Sequence, residues 1–175
     1  WGVPHVFADT DAGAMYGLGY ATAEDRGFQM HYTLRIIQGR LAEVIGDVKK
    51  IRRNETAVQS DRKKRTFGFD RAANARVKQL DDESVALLEA FSEGVNDYFE
   101  QHRDDLPDLF RKVRLEPEPW TPADCILSWW HLAQFFATDG TRDLMHYRNL
   151  TQGGGRRRPI PPFRGGGRGD RGGAR

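Results

Sequence analysis

An α+β fold in which helix predominates is what this sequence predicts, and three observations lead there. No proline occurs between Pro4 and Pro107, so more than a hundred residues run free of the residue that breaks helices most sharply. Apolar side chains recur at three- and four-residue intervals through the same region. Only residues 2–8 read as extended chain. At 175 residues there is length for one domain with a core of its own.

The elements follow in order. Val3 precedes Pro4, which pushes it towards the β/PPII region, and this starts a short strand. Asp9, Thr10 and Asp11 offer side-chain oxygens to the free N–H groups of a helix start. The helix that follows is predicted over 11–42, with Leu34, Ile37, Leu41 and Ile45 on one face. Gly17, Gly19, Gly27 and Gly39 lie within it, each costing about 1 kcal/mol relative to alanine. Four such costs imply that another backbone packs tightly against this helix, or that it breaks near one of them.

Residues 47–60, rich in Lys and Arg, read as loop. Asp61 is placed to cap a second helix through Leu80, weakened at Gly68. A third helix is predicted over 82–101, where Val85, Leu88, Phe91, Val95, Tyr98 and Phe99 form an apolar stripe. Pro107, Pro117 and Pro119 mark the next connection. Thr121-Pro122-Ala123-Asp124 then combines an N-cap threonine, a first-turn proline and a carboxylate at the third position. The fourth helix that it opens carries Ile126, Trp129, Trp130, Ala133 and Phe136, and extends past Asp139-Gly140 towards Leu150.

Composition divides the chain into a folded part, residues 1–150, and a tail, 151–175, predicted to be disordered because Gly, Arg and Pro cannot build a core. Seven of the 27 basic residues lie in the tail beside one acid, which leaves 20 basic and 24 acidic residues in the body. The pI near 8.8 therefore belongs to the tail. Its Gly-Arg runs resemble Arg-Gly-Gly segments that bind nucleic acid. The competing reading is a translated GC-rich stretch that follows a frame slip, and it carries more weight because nothing else in the chain points to nucleic acid. No run approaches the ~20 apolar residues of a membrane span. The single cysteine, Cys125, excludes an internal disulfide and reads as a buried thiol.

The first 46 residues hold one dense run of motifs: Gly2-Val3-Pro4-His5-Val6-Phe7-Ala8, then YGLGYATAEDRGFQM from Tyr16 to Met30, then Gly39-Arg40-Leu41-Ala42-Glu43-Val44-Ile45-Gly46. Asp61-Arg62, Ala90-Phe91-Ser92-Glu93-Gly94-Val95-Asn96 and Pro119-Trp120-Thr121-Pro122-Ala123-Asp124 continue the pattern. In order and spacing these blocks resemble the start of the α-chain in the penicillin acylase (penicillin amidase) family of N-terminal-nucleophile hydrolases. The resemblance fades after about Leu150. It implies the α-chain part of a four-layer αββα hydrolase, a fragment mainly helical, with its opening strand joining the sheet of a β-chain.

The resemblance also implies a chemistry: hydrolysis of the amide bond of an acylated small molecule of the penicillin, cephalosporin or acyl-homoserine-lactone type. In such enzymes the nucleophile is the first residue of the β-chain. Its own α-amino group, with a pKa near 7.7–8, takes the side-chain proton, so nucleophile and base are one residue. No counterpart of that residue stands in this chain, so no catalytic residue is assigned. Its partner is expected to be the missing β-chain of the same precursor, and its compartment the periplasm or the cell exterior. Gly140-Thr141 is the only step of the type that self-cleavage uses, and a helix-interrupting turn is the better reading of it. His31, His102, His131 and His146 lack metal-ligand spacing, and His5 reads as structural. Glu24-Asp25-Arg26 is expected to form a structural ion pair.

Two α-chain contributions follow from the resemblance. Phe135 and Phe136 match the helix that lines the acyl-binding pocket, with core packing as the equal alternative. Asp143 matches a glutamate that joins β-chain oxygens around a structural calcium, against the alternative of a solvated surface charge beside Arg142. A chain without its partner is expected to expose apolar surface at Trp129, Trp130, Phe135 and Phe136.

Overall fold

The computed structural model describes residues 2–49, 51, 55–137 and 141–152, apart from the side chains of Phe135, Thr141, Arg142, Asp143 and Gln152. The tail after Gln152 lies outside them. Eight helices are described: α1 (Asp11–Gln38), α2 (Leu41–Ile45), α3 (Ala57–Phe67), α4 (Phe69–Val77), α5 (Asp82–Gln101), α6 (Asp108–Val113), α7 (Pro122–Phe136) and α8 (Thr141–Gln152). Trp1–Ala137 form one compact unit, while α8 belongs to a second, Thr138–Arg175.

The extended segment at 2–8 is not a strand, and no strand is present among the described residues. A strand exists only by hydrogen bonding to a neighbour, and none lies beside this segment. Val3, Val6 and Phe7 are exposed.

Helix α1 starts where the sequence places it, with the Thr10 hydroxyl accepting from the Gly13 N–H at 3.0 Å. It stops four residues earlier than predicted. Gly39 takes the left-handed conformation (φ 69°), which costs glycine almost nothing, and α2 begins two residues later at a new angle. Gly19, by contrast, admits the close approach of another backbone, whereas Gly17 and Gly27 face the Val6 and Phe99 side chains. A methyl group at Gly19 would run into the Phe91 carbonyl, and one at Gly94 into the Tyr16 carbonyl. Helices α1 and α5 therefore approach backbone to backbone, and both glycines are buried.

The predicted second helix proves to be two, α3 and α4, separated at Gly68 (φ 67°). Asp61 does not cap it. The helix begins at Ala57 with a capping box between Thr56 and Gln59, and Asp61 works twenty residues away. Its carboxylate accepts from the N–H groups of Leu41 and Ala42 at 2.9 and 2.8 Å and so caps α2. Helix α5 matches its predicted span, and the short α6 between Pro107 and Pro117 was not anticipated.

The core gathers on α1, α5, α6 and α7, around Leu34, Ile37, Val95, Phe99, Phe110, Leu115, Trp120 and Leu127. Trp120 is held at its backbone. The Asn96 amide donates to the Trp120 carbonyl at 3.0 Å and accepts from its N–H at 2.6 Å, pairing α5 to the turn before α7 as a strand neighbour would. Cys125 is partly buried beside it: the Trp120 indole N–H donates to its Sγ at 3.2 Å, and burial pushes the thiol pKa up. The sequence predicts a buried thiol; Cys125 is partly buried, and a raised pKa keeps it in the less reactive thiol form.

Candidate functional site

Helix α7 carries the residues expected to meet a substrate. Its start follows from the sequence: Pro122 at the first turn, and a reciprocal box in which the Asp124 carboxylate accepts from the Thr121 N–H at 2.9 Å and its hydroxyl at 2.7 Å. Burial raises the pKa of Asp124, with the bonds from Thr121 opposing the shift. Ala123 and Leu127 anchor one side of α7 in the core. Trp129, Leu132 and Phe136, three and four residues apart, lie on another side and are 73%, 49% and 73% exposed. Phe136 thus sits on an open apolar face rather than in the core. The Phe135 side chain lies outside the described residues. Trp130 departs from expectation: it is partly buried, with its ring 6.3 Å from that of Phe69, because α4 packs against this side of α7.

Asp143 falls in the first turn of α8, and its side chain lies outside the described residues. Among those residues no group of three or more His, Cys, Asp or Glu is arranged to hold a metal ion. Calcium requires six to eight oxygens, which one carboxylate cannot supply. Gly140 lies outside the described residues as well, and Thr141 opens α8.

No nucleophile–base pair is shown among the described residues. The Ser92 hydroxyl donates to the Leu88 carbonyl at 2.7 Å, His102 Nδ1 lies 2.9 Å from the Tyr98 carbonyl, and Cys125 is held by Trp120. Glu24, Asp25 and Arg26 are all exposed and enter none of the ion pairs found here, which corrects the expected structural pair.

The polar framework lies elsewhere, and the sequence did not announce it. Arg35, buried in α1, donates to Glu118 at 2.6 Å, and Arg40 donates to both oxygens of the same carboxylate at 2.9 Å. Arg40 above all, then Arg35, holds Glu118 at a pKa of about 2 against a usual 4.5. One carboxylate thereby ties α1 and the α1–α2 corner to the turn that leads into α7. One turn before Arg35, His31 is fully buried among Phe99, Phe110 and Trp120, with ring centroids 4.7 to 6.1 Å away. Neither ring nitrogen has a partner. Burial, helped by the Arg35 charge and opposed by Glu118, lowers its pKa to about 4. A Glu-Pro step before the Pro119-Trp120 motif was the available signal for Glu118, and the helical spacing His31–Arg35 was the signal for its neighbours.

An arrangement of helices packed so closely at α1 and α5 has clear counterparts. A thermostable penicillin G acylase from Alcaligenes faecalis superposes with a TM-score of 0.69 at 29% identity, over 87% of this chain and 79% of that one. The penicillin amidase family model matches residues 1–164, and this chain belongs to that family. Penicillin G acylase of Escherichia coli is 30% identical over 128 residues, and penicillin acylase 2 proenzyme of a Pseudomonas species is 34% identical over 122. Acyl-homoserine lactone acylase QuiP of Pseudomonas aeruginosa is 32% identical over 126 residues. These matches take in 70 to 72% of this chain but only 14 to 15% of the relatives. The chain thus spans about one seventh of the curated proteins that it matches.

Proposed function

We propose that this chain is the α-chain portion of an N-terminal-nucleophile hydrolase that cleaves the amide bond of an acylated small molecule, of the penicillin, cephalosporin or acyl-homoserine-lactone type, and that it is inactive until a β-chain completes it. One observation carries the reading. The chain matches acylases over a seventh of their length, and its described residues pair no nucleophile with a base. Its contribution is to shape the acyl pocket through α7, with Phe136 on the exposed face and, on the family resemblance alone, Phe135 against the acyl group. An apolar acyl group suits such side chains, since burying a phenyl ring or alkyl chain gains about 25 cal/mol per Å². Asp143 is the residue that we assign to calcium, with the remaining oxygens coming from the β-chain. We place the assembled enzyme in the periplasm or outside the cell, on the family resemblance alone.

The test is hydrolysis of a phenylacetylated nitroanilide and of a long-chain acyl-homoserine lactone, by the purified chain and by the chain joined to the coding sequence downstream of Leu150 in each reading frame. The joined form should release acid and amine, and the chain alone should release neither. Turnover by the chain alone would overturn its dependence on a β-chain. Failure of every joined form, once folded, would overturn the amide-hydrolase reading.

A further inference from the structure

A second site stands apart from the face of α7 that carries Trp129 and Phe136. The end of α1, the last turns of α3 and the first turn of α4 enclose a cleft of about 390 Å³. Arg40, Lys64, Arg65 and Arg71 line it against a single carboxylate, Asp70. The four cations are not equally committed. Arg40 is neutralised by Glu118 and Glu43. Arg65 spends its Nε–H on the Gly39 carbonyl at 2.7 Å and reaches Glu43 only at 3.4 Å. Lys64 donates to the Gln134 side chain. Arg71 has no hydrogen-bond or ion-pair partner among the described residues.

Geometry aims that unspent guanidinium at the cleft. Its Nη2 lies 2.8 Å from where a Cβ of Gly68 would stand, so the missing side chain at Gly68 lets Arg71 fold back over the α3–α4 corner. Helix α4 opens at the same corner with no side-chain cap, while α1 and α3 end there, so helix dipoles of both signs meet at the cleft and the positive field comes from the side chains. Ile37 and Phe69 form apolar parts of the wall, which lowers the local dielectric and strengthens a charge-assisted hydrogen bond.

We propose that this cleft binds a compact oxyanion (a phosphate, sulfate or carboxylate group), held chiefly by Arg71 with Lys64 and Arg65 beside it. The site does not depend on amide hydrolysis, and its test needs no turnover. Isothermal titration of the chain with inorganic phosphate, with sulfate and with acetate at constant ionic strength reads it directly. Saturable binding with one site per chain is expected, and Arg71→Ala should weaken it about tenfold, as loss of one charge-assisted bond implies. Lys78→Ala, an exposed lysine outside the cleft, should leave it unchanged. Equal weakening by the two variants, or no saturable binding of any of the three anions, overturns the proposal. Circular dichroism of Arg71→Ala separates loss of the site from loss of the fold, and Arg71→Lys should recover only part of the affinity because it lacks the planar fork.

Discussion

His31 is the residue whose surroundings agree least with its chemistry. An imidazole with no hydrogen-bond partner, enclosed by three aromatic rings and one turn from a buried arginine, is stable only while neutral. Its folded pKa of about 4 lies below its ordinary 6.5, so the unfolded chain binds the proton more tightly. Its contribution to stability is therefore whole above pH 6.5 and is lost as the pH falls towards 4. The size of the shift makes that loss about 3 kcal/mol. Glu118 acts in the same direction but lower: with a folded pKa of about 2, its contribution is lost between about 4.5 and 2. The two can be told apart by urea unfolding at a series of pH values. His31→Phe should remove much of the pH dependence between 6.5 and 4, leaving what His131 contributes through its own burial-lowered pKa and the part below 4.5 that belongs to Glu118. An unchanged slope above pH 4.5 would show that His31 does not carry it. Nothing in the sequence distinguishes His31 from the other four histidines. Its burial is set by Phe99, Phe110 and Trp120, which are 68 or more residues away, and only the packed structure brings them together.

At the scale of elements, what was legible depended on how far along the chain each cause lies. Helix α5 and the start of α7 were legible because their apolar spacing and caps sit within a few residues of one another, at Asp81 and Ser84 and at Thr121 and Asp124, whereas α7 ends at Phe136 instead of running past Asp139-Gly140 towards Leu150. The start of α3 carried an equally local signal, Thr56-x-x-Gln59, which the Lys- and Arg-rich surroundings obscured. Asp61 was misread for a different reason. A carboxylate near a helix start looks like that helix's own cap, whereas this one caps α2. The glycines of α1 offered two alternatives, tight packing or a break, and different positions took each: Gly19 and Gly27 pack, while Gly39 breaks the helix. This gives a sharp expectation. Gly19→Ala pushes a methyl group into the Phe91 carbonyl, which is backbone and cannot swing aside, so destabilisation of about 3 kcal/mol or more is expected. Gly27→Ala meets only the ring of Phe99, 2.5 Å away, which can turn, and should cost less. Chemical denaturation of the two variants checks the order, and a Gly27 variant less stable than the Gly19 variant would contradict it.

For the molecule as a whole, the question is how this stretch of a family scaffold behaves when expressed by itself. Apolar side chains exposed singly are ordinary. Here they are grouped, with Trp129, Leu132 and Phe136 along α7 and Val3, Val6 and Phe7 along the unpaired segment before α1. Residues 2–8 also carry backbone N–H and C=O groups with no ladder to join, an open edge of the kind that recruits other chains. If a β-chain joins this chain as proposed, it is expected to cover both features, and the curated relatives are about seven times the length matched here. The motifs at Gly2 and Tyr16 identified the scaffold, and the exposure expected from them holds at Trp129 and Phe136 but not at Trp130, which α4 partly covers. Light scattering and apolar-dye binding on the purified chain should therefore show self-association that grows with concentration. Trp129→Lys combined with Phe136→Lys should reduce it, and the helical content should stay the same because neither side chain supports the core. Joining the chain to a β-chain should reduce dye binding further. A chain that stays monomeric and leaves the dye dark, with both aromatic residues in place, would mean that the face of α7 is covered from within.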